Sequence, residues 1–531
     1  MTFTSILFAA LAFVTILNGA ESSLRAQSSR QLATETILCR ITTIDTIMDT
    51  PEDETEEYAC IPIVDNTESD MLLTVPIPDN IATEYQHELA SGYLFVRIEN
   101  ARATIDEIIV SESTQYVVIN DEDHEELHRR RLQLQSRATG DKKLFIVRVS
   151  TPDSTPTNTL TELTEGMFST GTSFKTQYED CSFNQLRWSN AGGLDVMLDE
   201  PISTYTRPGQ LVNAAQEKVK EALGIDNVGS LADSVVFCQP PGTQGWIAVA
   251  GVNHWRVNMS NDFCLSLSAL MHEVGHNLGL THSGEGNQAY GDKSGYMGYG
   301  TKRSDYPRKC FNGYKNAQMG WYHDRELEVA DPSTPQLVNL AAFADYDLAK
   351  TTQPVLINVG GYHIQYNRAK RANLETEEKR DQVTITHNQP GYSLSVAGLD
   401  VNGRHEIPNF QGTGRSLVVE VCTKEDGGLH GADTATVSIG LDYSYCSQNL
   451  AAATPAPTSS PTAAPTVQKC TRPRKNLPCG EHSDCCSDNL RCLKKRGVYS
   501  CKRCRKVNKR CRNDSECCGG STCNNRRCQK A

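Results

Sequence analysis

At 531 residues the chain exceeds one compact domain and has room for three or four. Its 38% hydrophobic and 22% charged residues are those of ordinary soluble globular material, which excludes a chain that needs metals or disulfides merely to hold its larger cores. The net charge of −12 is unevenly laid. From Cys470 onward 17 lysines and arginines face 5 acidic residues, a net of +12, so the body before it carries −24. A basic tail on an acidic body seeks anionic surfaces.

In chain order, Ile6 to Leu17 is a short apolar run ending in Gly19 and Ala20. It predicts a secretory signal over residues 1–20, too short for a membrane span. No later stretch is long and apolar enough to cross a bilayer. Residues 21–140 form a first, β-rich unit, with strands at Phe95-Val-Arg-Ile, Ile108-Ile-Val and Tyr116-Val-Val-Ile. It ends in the acidic run Asp121-Glu-Asp-His-Glu-Glu and the tribasic His128-Arg-Arg-Arg131, which reads as a processing site or an uncut exposed linker.

A second unit, 141–345, opens on the strand Leu144-Phe-Ile-Val-Arg-Val and holds another at Trp246-Ile-Ala-Val-Ala. Leu267, Leu270, Val274 and Leu278 then recur at three- and four-residue spacing, which predicts an amphipathic helix stopped at Gly279. Residues 346–447 look all-β, with strands near Val355, Tyr362, Gln382 and Ser416, and Cys422 and Cys446 to tie them. This extension either stands alone or continues the preceding fold. Residues 448–469 are a Thr/Pro/Ala-rich linker that cannot build a core. Two six-cysteine sets follow, 470–501 and 504–528, each with an adjacent pair at its centre; modules this small need staples to fold.

The 20 cysteines, twelve of them in the tail, predict an oxidising, extracellular location. Asn258-Met-Ser and Asn513-Asp-Ser are sequons that add weak support.

The chemistry is concentrated in His272-Glu-Val-Gly-His-Asn-Leu-Gly-Leu-Thr-His282. On a helix His272 and His276 lie one turn apart and point the same way, so both imidazoles reach one metal ion. A chain break at Gly279 returns His282 as a third nitrogen ligand. Three protein ligands leave a fourth position open, the mark of a catalytic Zn2+ ion. Glu273 is placed as general base, and an amide is the natural substrate. His254 and the remaining histidines read as ordinary polar contacts.

This motif resembles the metzincin metalloproteases, with Met297 in the turn after the third histidine. The longer string through Ser283-Gly-Glu285, Tyr290-Gly-Asp292 and Tyr296-Met-Gly298 is similar to the gametolysin family. The resemblance covers about 142–446 and implies an α+β fold, a twisted mixed sheet with the active-site helix against it. It also implies protein or glycoprotein substrates of extracellular matrix or cell wall. Met297 would be an apolar floor beneath the metal. Tyr299 matches a tyrosine that in some metzincins contacts zinc or the oxyanion; an ordinary packed tyrosine is the plain alternative. Asp292 and Glu285 are candidates to bind a structural Ca2+ ion or to brace the loop.

The first unit resembles a propeptide. The resemblance suggests Cys39 or Cys60 on the zinc, whereas two cysteines in one small unit more often pair with each other. The tail resembles tandem knottins, which implies pairs Cys470–Cys486, Cys479–Cys492 and Cys485–Cys501, then Cys504–Cys518, Cys511–Cys523 and Cys517–Cys528. Its basic surface suits anionic polysaccharide or matrix; nucleic acid is no partner for an exported protein. The reading is therefore a zymogen of a secreted zinc endopeptidase. The alternative is a zinc-binding but catalytically silent protein that binds matrix through its tail.

Overall fold

The computed structural model describes residues 35–48, 55–65, 67–104, 106–119, 138–242, 245–298, 308–389, 392–428, 430–443 and 445–446, with four short tail strands. The expected signal, the tribasic run, Tyr299, the linker and most of the cysteine-rich tail lie outside the described residues. The chain divides into two units, Met1–Ala451 and Ala452–Ala531.

A mixed sheet runs through the first unit. Its N-terminal strands are β1 (Glu35–Met48), β2 (Thr55–Val64), β3 (Leu94–Ala103) and β4 (Gln115–Val118). Five more follow: β5 (Gly140–Ser150), β6 (Leu186–Met197), β7 (Ser234–Gln239), β8 (Trp246–Gly251) and β9 (Arg256–Ser260). Strands β6, β5, β7 and β9 are parallel in that spatial order, and β8 joins β9 antiparallel. All residues of β7 and β8 are buried, as expected of apolar strands covered on both faces.

Strand β1 serves two neighbourhoods. One edge pairs with β2. The other pairs with β3 through residues 35–41 and then with β8 through residues 44–48, antiparallel, with Asp45 opposite Ala250. The N-terminal segment therefore extends the same sheet that carries the Trp246 strand. A disulfide joins Cys39 of β1 to Cys60 of β2.

Helices α1 (Leu160–Phe168), α2 (Phe174–Cys181) and α4 (Leu267–Asn277) share one core with the sheet, while α3 (Pro208–Leu223) packs its apolar side into another. Helix α4 is the one predicted from the Leu267 to Leu278 spacing. It is not half-exposed: all its residues are buried, because its polar side is covered in turn by β1 and by the loop that follows it. Ser266 caps its start, and Gly279, at φ +90°, lets the chain turn out of it.

The chain then forms β10 (His282–Glu285). The extension adds β11 (Glu326–Glu328), β12 (Gln336–Ala341), β13 (Leu356–Val359), β14 (Tyr362–Asn367), β15 (Gln382–Gln389) and β16 (Tyr392–Leu399). It closes with β17 (Arg404–Ile407), β18 (Leu417–Glu425) and β19 (Thr434–Leu441), and Cys422 is bonded to Cys446. One sheet has the order β10-β16-β15-β14-β13-β11 and the other β12-β19-β18-β17. The extension thus continues the preceding fold, since β10 pairs parallel with β16. In the tail two antiparallel hairpins set Cys492 opposite Cys501 and Cys523 opposite Cys528.

Candidate metal centre

Helix α4 places the first two histidines one turn apart, with ring centroids 4.8 Å from each other. Each is oriented by a backbone carbonyl. His272 Nδ1 donates to Tyr296 O at 2.7 Å and His276 Nδ1 to Leu280 O at 2.8 Å. A ring nitrogen committed in this way leaves Nε2 with its lone pair facing inward. His282 arrives as the first residue of β10, in register with Tyr392 of β16. The extension thereby holds the third histidine.

The loop after β10 completes the floor. Met297 is buried, its backbone oxygen accepts from Ser283 N, and a Cβ on Gly275 would lie 2.7 Å from its sulfur. Glycine one residue before His276 is what allows the thioether to reach the helix. Asp292 braces the loop: Oδ1 accepts from Ser294 N at 3.1 Å, and Oδ2 from Asn312 Nδ2 at 2.9 Å. Glu285 pairs with Lys379 at 2.8 Å. Glu273, next to His272, is fully buried. His254 takes the ordinary role expected of it, its Nδ1 accepting from Arg256 N.

A fourth group stands among the histidines. Asp45 of β1 directs Oδ2 to His272 Nε2 at 3.5 Å, His276 Nε2 at 3.3 Å and His282 Nε2 at 3.1 Å. The four ligand atoms lie within 4.8 Å of one another, a group able to hold a metal ion. Ligand atoms at roughly 2.0–2.1 Å from one ion in tetrahedral geometry sit about 3.3 Å apart. The three oxygen–nitrogen separations are close to that value, and three imidazoles with a carboxylate are a donor chemistry that suits Zn2+.

Electrostatics agree for the two histidines on the helix. Burial pushes His272 down to about 4 and lowers His276, so both are neutral, as metal ligands must be. Burial works against charge on His282 too, but the Asp45 and Glu56 carboxylates outweigh it and raise it to about 10. Burial likewise works to raise Asp45, yet the three histidines hold its carboxyl well below the usual range. Without an ion, the protonated His282 is the cation beside this buried carboxylate, the place a metal ion would take.

Three contributors had no role assigned from the sequence, two of them outside the motif and Tyr290 within its longer string. Asp45 is one. Glu56 of β2, whose Oε1 lies 2.6 Å from His282 Nδ1, is another. Tyr290 is the third: its hydroxyl donates to Asp45 Oδ1 and its ring lies 3.8 Å from that of His282. The only sequence signal for Asp45 is an acid inside the β-branched run Ile41-Thr-Thr-Ile-Asp-Thr-Ile47, where strand propensity disfavours it. A cysteine on the metal is excluded for the first unit, because Cys39 and Cys60 are bonded to each other.

The gametolysin peptidase M11 family model matches residues 142–342. The chain carries a gametolysin-family domain. The match spans β5 to just past β12, and so includes α4, all three histidines, Glu273 and Met297. That family implies a zinc metalloprotease, and a protease implies protein substrates. No curated protein matches the chain.

Proposed function

We propose that this chain is a secreted zinc endopeptidase, made as a zymogen, that cleaves extracellular-matrix or cell-wall glycoproteins. One observation carries the reading: the imidazole Nε2 atoms of His272 and His276 on α4 and of His282 on β10 converge, with Glu273 buried next to His272 in the chain. His272, His276 and His282 would hold the ion. Bound there, Zn2+ supplies a Lewis acid that polarises the scissile carbonyl and acidifies water. Glu273 takes a proton from the attacking water and returns it to the leaving amine. The carbonyls of Tyr296 and Leu280 keep the first two imidazoles in the tautomer this requires.

Substrate would add to β8 as an extended antiparallel strand once β1 has left. Tyr290, whose hydroxyl reaches the centre, is placed to donate to a substrate oxygen there, and Tyr299 is a second candidate for that role. Four disulfides among the described residues support export. Among those residues no helix is long and apolar enough to cross a membrane. The basic tail suits anchoring to anionic polysaccharide.

The test is proteolysis of a matrix glycoprotein and of casein by protein cut after Arg131 and freed of the N-terminal segment, with and without a zinc chelator. Glu273→Ala runs alongside it. Cleavage should vanish with chelator and fall at least about 100-fold in the variant while zinc stays bound. No cleavage by the unsubstituted protein, with stoichiometric zinc and the N-terminal segment removed, would favour the silent matrix-binding alternative.

A further inference from the structure

We propose that Asp45 is the latch of the zymogen: β1 lies where a substrate strand would, and Asp45 fills the metal position that catalysis needs open. The proposal rests on the zinc-protease reading above.

The geometry supplies the first argument. Asp45 Oδ2 is nearly equidistant from the three Nε2 atoms, at 3.1–3.5 Å. Three histidines alone leave one tetrahedral position for water; with Asp45 the set is closed. The burial of Asp45 supplies the second. A carboxylate with 1% of its surface exposed is costly unless it is paired. Its partners are the three histidines and Tyr290, all of the metal centre.

The backbone supplies the third. β8 is the antiparallel edge of the β5–β9 strands, and β1 is what covers it, with Asp45 directly opposite Ala250. The segment is also clamped where the strand ends. Thr42 Oγ1 donates to Val252 O at 2.7 Å, Arg40 Nη2 to Asn253 O at 3.2 Å, and Asn253 Nδ2 to Ser91 O at 2.7 Å. The clamped turn is itself bonded to the active helix, through Asn253 N and His276 O. Glu56 of β2 adds a second carboxylate from the same segment, on the outer nitrogen of His282. A cut at the tribasic run would break the chain but none of these contacts, so the cut protein stays latent until β1 dissociates.

The full-length chain tests this with Asp45→Ala and Asp45→Asn beside the unsubstituted protein. Zinc content is measured by mass spectrometry, and active-site access by binding of a fluorescent peptide hydroxamate, a bidentate zinc ligand. With zinc stoichiometric in all three, both variants should bind the hydroxamate at least about tenfold more tightly, as expected for a site closed roughly 90% of the time. Equal affinities would overturn the latch while leaving the zinc reading intact. Zinc absent from every protein would sink that reading and the latch together. Should the variants not fold, the Co2+-substituted natural protein carries the test. Its visible d–d bands should shift when the N-terminal segment is cut away and removed, and unchanged bands would overturn the proposal.

Discussion

Lys315 is a buried ammonium close to the third histidine, with its Nζ donating to Thr281 Oγ1 at 2.9 Å. Burial lowers it from 10.5 to about 7, only partly offset by Asp292. Between those two values the unfolded chain holds a proton that the folded chain has lost, so raising the pH favours the folded state. Stability should therefore climb from pH 7 toward pH 10, by up to about 1.4 kcal/mol per unit at its steepest. Lys315→Met should be the more stable near pH 7 and lack that climb. Chemical denaturation of both proteins across this range checks it; identical slopes would count against the assignment.

Strand β1 is an element whose sequence serves three purposes at once. Its first half completes the N-terminal core, its second half covers β8, and Arg40, near the end of the first, ties Glu68 and Gly92 of the same segment to Asn253 O. The Arg40 guanidinium is fully buried and binds both oxygens of Glu68, at 2.8 and 3.0 Å, as well as Gly92 O and Asn253 O. Removing one partner of such a pair leaves a carboxylate and two carbonyls short of their donor, at a cost of roughly 3 kcal/mol. Arg40→Ala should speed hydrogen exchange of β1 amides by about 100-fold and leave α4 nearly as protected as before. Equal loss over the whole first unit would show that Arg40 holds the fold rather than the docking. Strand β10 makes the converse point: four residues long, it carries His282 only because β16, more than a hundred residues later, pairs with it.

At the scale of the whole molecule, the longest covalent tie among the described residues is Cys181–Cys310, which links the end of α2 to the segment after the Met297 loop over 129 residues. Tyr296 N donates to Cys310 O, and Tyr296 O in turn receives the His272 ring. The bridge thus restrains the unfolded chain and steadies the floor of the centre. Chain entropy assigns a loop of this length about 4–5 kcal/mol. Cys181→Ala with Cys310→Ala should lose stability of that order, read from denaturant midpoints, and weaken zinc retention. A second consequence of packing concerns Asn258. It is buried in β9, between β7 and β8, so in the folded protein that sequon offers no side chain for a glycan.

Local chemistry by itself determined the helix carrying His272, Glu273 and His276, the turn at Gly279, and the strands at Leu144, Trp246, Tyr362 and Gln382. Periodicity, turn residues and ligand spacing all act within one element, so a linear reading reaches them. The amphipathic spacing of α4 was legible, but not that its polar side would be covered. That side faces β1, whose pairing with β8 joins residues some two hundred positions apart. Asp45, Glu56 and Tyr290 belong to the centre for the same reason. The two acids lie on strands far from the histidines in sequence, and no spacing rule links a lone acid to a distant histidine; Tyr290 follows His282 closely, but a tyrosine in a loop carries no mark of its partner. The pairing of Cys39 with Cys60 was likewise open until the register of β1 on β2 set the two residues close on adjacent strands. Tertiary structure decided what closes the site, because closure is a contact between segments rather than a pattern within one.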